Sequence, residues 1–118
     1  MFESIVVPVD LTDRNRDAVE MARELVSQEG RVFLLHVIET IPGIELVEER
    51  AFYAKLEKRA LSHLEELSKL LGPKQDRFEA EVSYGPRAKT ILEQARKLNA
   101  DLIVVRSHRV GDETPSEG

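Results

Sequence analysis

The chain alternates four short apolar segments with three stretches of helical period. Ile5-Val6-Val7-Pro8-Val9, Val32-Phe33-Leu34-Leu35-His36-Val37-Ile38 and Leu102-Ile103-Val104-Val105 are nearly continuous runs rich in β-branched residues. Runs of that kind are how strands covered on both faces read. Phe78-Glu79-Ala80-Glu81-Val82-Ser83-Tyr84 instead alternates apolar with polar positions, as a strand with one face in water does, which marks it as an edge.

The helical stretches lie between these runs. Residues Asp13 to Gly30 set Ala18, Met21, Ala22, Leu25 and Val26 on one stripe, with Thr12 or Asp13 as the N-cap and Gly30 as the stop. About Val47 to Leu71, the stripe is Tyr53, Leu56, Ala60, Leu64, Leu67 and Leu71, ended by Gly72-Pro73. From Pro86 to Asn99 it is Ala88, Ile91, Leu92, Ala95 and Leu98, and Pro86 suits a first helical turn because its missing N–H costs nothing there. Thr40 to Leu46, with Pro42-Gly43, reads as a loop.

The order β-α-β-α-β-α-β predicts an α/β fold: a three-layer, doubly wound parallel sheet with right-handed crossovers. With the alternating strand outermost, the strand order is 3-2-1-4. The fourth strand reads as buried on both faces, yet Gly111 to Gly118 is polar and turn-prone and forms no fifth strand. Either a partner chain covers that edge, or a helix and a strand that relatives keep are absent. Residues 1–107 form the expected domain, and 108–118 a polar acidic tail or a truncated nucleotide loop.

Composition narrows the function classes. The 118 residues fit one domain, and zero cysteine excludes disulfides, thiolate nucleophiles and cysteine-bound zinc. A formal charge of −5 argues against general nucleic-acid binding. No apolar run approaches the ~20 residues that span a bilayer, and Met1-Phe2-Glu3-Ser4 lacks the basic start of a secretory signal. The three histidines share no metal-ligand spacing; His36 reads as a core residue and His63 as a surface one.

In an open α/β sheet a ligand sits outside the carboxyl ends of the strands, where the winding reverses. Here that point lies between the first and fourth strands, at Pro8-Val9-Asp10-Leu11-Thr12 and Val105-Arg106-Ser107-His108-Arg109. A carboxylate suits sugar hydroxyls or a base amine, and guanidiniums suit phosphate. Adenine and ribose would lie near Asp10 and Val37, with phosphates toward Arg106 and Arg109. The alternative is structural: Asp10 caps the next helix or pairs with Arg106, and the basic residues form a solvated loop.

Four blocks in this order resemble the universal stress protein family: Ile5-Val6-Val7-Pro8-Val9-Asp10, Leu34-Leu35-His36-Val37, Tyr84-Gly85 before a helix with Ile91 and Ala95, and Ala100-Asp101-Leu102-Ile103-Val104-Val105. The resemblance runs from Ile5 to about Ser107. It implies the adenine nucleotide alpha hydrolase-like fold, normally with a fifth strand, in proteins that are mostly cytoplasmic, homodimeric and induced by stress. One branch of the family binds ATP with Mg²⁺ and another does not. The binding branch carries G-x-x-G, about nine residues, then G-S or G-T, so that backbone N–H groups reach the phosphates. Arg106 and Arg109 stand at the two glycine positions, while Ser107 keeps the family's character. Pro8, Val9, Asp10, Val37 and Val105 are the crevice residues the resemblance carries over.

The resulting expectation is a non-catalytic, dimeric stress-response module with weak or absent ATP binding. The runner-up is an adenine-nucleotide-binding switch. A phospho-accepting receiver is disfavoured, since the central strand ends His36-Val37-Ile38-Glu39 without an acceptor aspartate.

Overall fold

The structure is a computed structural model and describes residues 1–39 and 50–105. Its elements are β1 (Phe2–Pro8), a 3₁₀ turn (Asp13–Asn15), α1 (Arg16–Leu25), β2 (Val26–Ile38) and α2 (Arg50–Ser68). A 3₁₀ stretch (Lys69–Arg77), β3 (Phe78–Tyr84), α3 (Arg87–Lys97) and β4 (Leu102–Ile103) follow. The four strands form one parallel sheet in the order β3-β2-β1-β4, as the alternation predicts.

Period-two alternation sorts the strand residues between two cores. Ile5, Val7 and Val9 of the first segment and Val32 and Leu34 of β2 meet α1 and α2 through Val19, Ala22 and Leu64. Val6, Phe33, Leu35 and Val37 point the other way, against Ala95 of α3. Being covered from both sides is what makes these two strands continuously apolar in sequence. The alternating β3 is an outer edge with none of its residues fully buried.

Two boundaries differ from the sequence reading. The first helix stops at Leu25, not Gly30: Val26 already has extended φ/ψ (−72°, 138°) and pairs with Phe2. Val26 is fully buried, so it does belong to the core, but as a strand residue. Gly30 serves close approach instead, since a Cβ there would lie 2.8 Å from the Phe2 carbonyl and 2.9 Å from that of Glu3. The second helix ends at Ser68 and passes into a 3₁₀ stretch, broken at Gly72 (φ 57°, ψ −124°). That stretch is fastened to the end of α1 and the start of β2. Arg23 donates to the Leu70 carbonyl at 2.9 Å, Lys74 to the Arg23 carbonyl at 2.7 Å, and Arg77 to the Ser27 carbonyl at 3.1 Å. The expected stripes also lose members to solvent: Met21 and Leu92 are 52% and 57% exposed, and Ala88 is exposed.

The fourth strand departs from its expected burial on both faces. Ile5 pairs with Leu102 and Val6 with Ile103, and the Val104 amide continues the ladder to the Val6 carbonyl at 3.0 Å. Leu102, Ile103 and Val104 are only half-buried and Val105 is 61% exposed. Among the described residues β1 flanks this strand on one side and no strand flanks it on the other. Its entry is fixed by Asp101, whose carboxylate accepts the amides of Glu3 at 3.0 Å and Ser4 at 3.1 Å.

Candidate functional site

The carboxyl ends of β1 and β4 come together at the reversal of winding, as the topology requires. Extending their register by two residues sets Val105 beside Pro8. Pro8 itself is buried, and Val9 turns its side chain into the α1/α2 core, 1% exposed. Val37 is 5% exposed under α3. Asp10 is half-buried at the rim. Arg106, Ser107, His108 and Arg109 lie outside the described residues.

Asp10 organises the loop it opens. Its Oδ1 accepts the Thr12 amide at 3.0 Å, the Thr12 hydroxyl, and the Asn15 side-chain amide at 3.1 Å. This is an Asx turn leading into a helix, which short polar side chains favour. Thr12 in turn caps the 3₁₀ turn by accepting the Arg14 amide.

Asn15 is the residue that sequence reasoning missed. It is 2% exposed, and its Nδ2 donates to the Asp10 carbonyl at 2.8 Å and the Thr12 carbonyl at 3.0 Å, while its Oδ1 accepts the Asp10 amide at 3.3 Å. A buried amide needs such partners. The signal was present in the run Asp10-Leu11-Thr12-Asp13-Arg14-Asn15, dense in side chains that form local turns.

Two histidines hold the same loop from outside. His36 Nδ1 donates to the Val9 carbonyl at 3.0 Å, and His63 Nε2 to the Thr12 carbonyl at 3.2 Å. His36 is thus a satisfied, half-buried histidine, and His63, expected as surface, braces α2 against the loop. Among the described residues no three His, Asp or Glu side chains group to hold a metal ion. At the end of β3, the Tyr84 hydroxyl donates to Glu57, and its ring stands edge-on to Tyr53 at 6.0 Å. Burial, then the Glu57 carboxylate, pushes the Tyr84 phenol up to about 12.

The model of the universal stress protein family matches residues 1–114. This chain belongs to the universal stress protein family. Universal stress protein G of Salmonella typhimurium is 26% identical over 113 residues, covering 91% of this chain and 80% of that protein. Two solved structures share the fold. One is hypothetical protein MJ0577, with a TM-score of 0.76 and 24% identity over 97% of this chain and 81% of that one. The other is a universal stress protein in complex with cAMP, with a TM-score of 0.69 and 18% identity over 98% of this chain and 82% of that one. As a universal stress protein, the chain has the family's doubly wound sheet, with the four described strands in the expected order. No helix among the described residues is long and apolar enough to cross a membrane.

Proposed function

We propose that this chain is a non-catalytic stress-response module that acts by association, as a homodimer joined along β4, with weak or no affinity for ATP. The observation that carries this reading is the side of β4 that no strand flanks among the described residues, where Leu102, Ile103 and Val104 stay half-buried and Val105 is 61% exposed. Unpaired apolar edges are sticky, and proteins cover them. Weak ATP binding follows from two features. Asp10 Oδ1 is engaged by Thr12 and Asn15, and Arg106 and Arg109 occupy the positions where family members that bind ATP have glycine. Sedimentation velocity and calorimetric titration with ATP and Mg²⁺ test the two halves separately. A monomer at high concentration overturns the dimer, and micromolar ATP binding overturns the rest.

A second reading makes the same crevice an adenine-nucleotide switch, with Asp10 on the nucleoside side and Arg106 and Arg109 toward the phosphates. It is favoured by the meeting of β1 and β4 at the reversal of winding, and a structural relative holds cAMP. Unchanged nucleotide retention in Asp10→Ala and Arg106→Ala would rule it out.

A further inference from the structure

The α3 side of the sheet carries apolar surface that the proposed β4 pairing would not cover. Ile91, Ala95 and Leu98 face the second core, which fixes the buried side of α3. At about 100° per residue, Ala88 and Leu92 fall on one flank of that side, with Lys89 and Arg96 just beyond them. In a right-handed crossover from β3 to β4, that flank is the one turned toward β4. Ile103, whose side chain packs on this same face, is half-buried. Leu92 is 57% and Val105 61% exposed, and Ala88 is exposed as well. These residues form a ledge beside α3.

The dimensions of the ledge suit one helix. α3 lies chiefly over β2. Two strand spacings of about 4.8 Å lead from β2 across β1 to β4, which matches the ~8–10 Å between the axes of packed helices. Charge selects among helices. Arg87, Lys89, Arg96 and Lys97 stand on α3 against the single carboxylate Glu93, on a chain of net charge −5. None of these cations has an ion-pair partner among the described residues. An apolar ledge with a basic rim is complementary to an apolar stripe with an acidic border.

We propose that the ledge formed by Ala88, Leu92, Ile103 and Val105, rimmed by Lys89 and Arg96, docks an amphipathic helix of a partner protein whose apolar stripe is bordered by carboxylates. The contact uses the face of the sheet and leaves the backbone of β4 for pairing. It does not depend on the dimer.

Fluorescence polarisation of the full chain with two labelled helical peptides of about 18 residues (roughly five turns) tests this. Both peptides carry the same leucine stripe, bordered by Glu in one and by Lys in the other. The Glu-bordered peptide should bind at least about tenfold more tightly, with affinity falling as salt rises. Lys89→Glu with Arg96→Glu should reverse the preference, and Leu92→Asn should weaken both peptides. These three positions are exposed and off the β4 backbone, so circular dichroism and sedimentation should match the parent chain. Equal binding of the two peptides, no binding of either, or a preference that survives charge reversal overturns the proposal. So does tighter binding to anionic lipid vesicles than to the Glu-bordered peptide, which would make the ledge a membrane contact.

Discussion

Replacing Asn15 with leucine keeps the branch at Cγ and nearly the same volume, so it isolates the hydrogen bonds. The amide makes three donations between 2.8 and 3.1 Å and one acceptance at 3.3 Å, all within the Asp10–Thr12 turn. The two N–H groups, one shared between two acceptors, and the accepting oxygen amount to about three bonds, and at about 1 kcal/mol net each their loss costs about 3 kcal/mol. The newly buried apolar side chain returns about 1 kcal/mol of that, because the site is already closed to water. The net loss is about 2 kcal/mol, a large part of the ~5–15 kcal/mol that holds a domain together. At roughly 4 °C per kcal/mol for a domain of this size, thermal unfolding should move down by about 8 °C. Urea unfolding should show the midpoint falling with its slope unchanged. Asn15→Asp gives the sign control. A carboxylate there faces Asp10 and two carbonyls, which raises its folded pKa above the unfolded value near 4. Its stability deficit should therefore narrow as pH falls below about 5 and be complete at neutral pH. A Tm change under about 2 °C for Asn15→Leu, the size of a surface substitution, would refute the claim that this amide holds the loop.

Other expectations are more local. Gly85→Ala puts a Cβ 2.6 Å from Thr90 Oγ1 at a φ of +140°, and should destabilise by about 2 kcal/mol or more in urea titration. Asp101 has its pKa lowered by the amides of Glu3 and Ser4. Its contribution is therefore present above the unfolded value and lost as pH falls through the folded one. Asp101→Asn should flatten the acid limb of a stability-versus-pH curve. The Tyr84 phenol, pushed up to about 12 chiefly by burial, should titrate well above the ordinary tyrosine value near 10 when followed by ultraviolet absorbance. Stability should fall between about pH 10 and 12, where only the unfolded chain has released that proton. Glu57→Gln should bring the titration part of the way back.

Much of the architecture could be read from local pattern, because strands covered on both faces and an alternating edge strand look different in one dimension. β1 and β2 are continuous, β3 alternates, and the order β3-β2-β1-β4 follows from that contrast. The end of α1 was not legible. Val26 continues the helical stripe as well as it begins a strand, and only its pairing with Phe2 decides. Gly30 looked like a helix stop, whereas its lack of a Cβ lets β2 approach the carbonyls of Phe2 and Glu3. Of the site, Pro8, Val9, Asp10 and Val105 were expected at the strand ends and lie there. Asn15 escaped notice, and His63 reads only as a surface residue, because their roles depend on contacts to the carbonyls of Asp10 and Thr12, which leave no periodic trace.

The fastening of Asp101 to the amides of Glu3 and Ser4 spans 98 and 97 residues of chain, and this has a consequence for how the protein is made. Among the described strands β1 leaves the ribosome first and β4 last, so the β4 flank of β1 has no native neighbour until the roughly 100 residues between them have been made. At ~5–20 residues per second, that wait is roughly 5–20 s, long compared with the microseconds to milliseconds of collapse. The early β1-α1-β2 unit must therefore carry its own solubility through that interval. Nascent-chain chaperones that bind short apolar strands should find it at Ile5 to Val9 before they find β2 or β4.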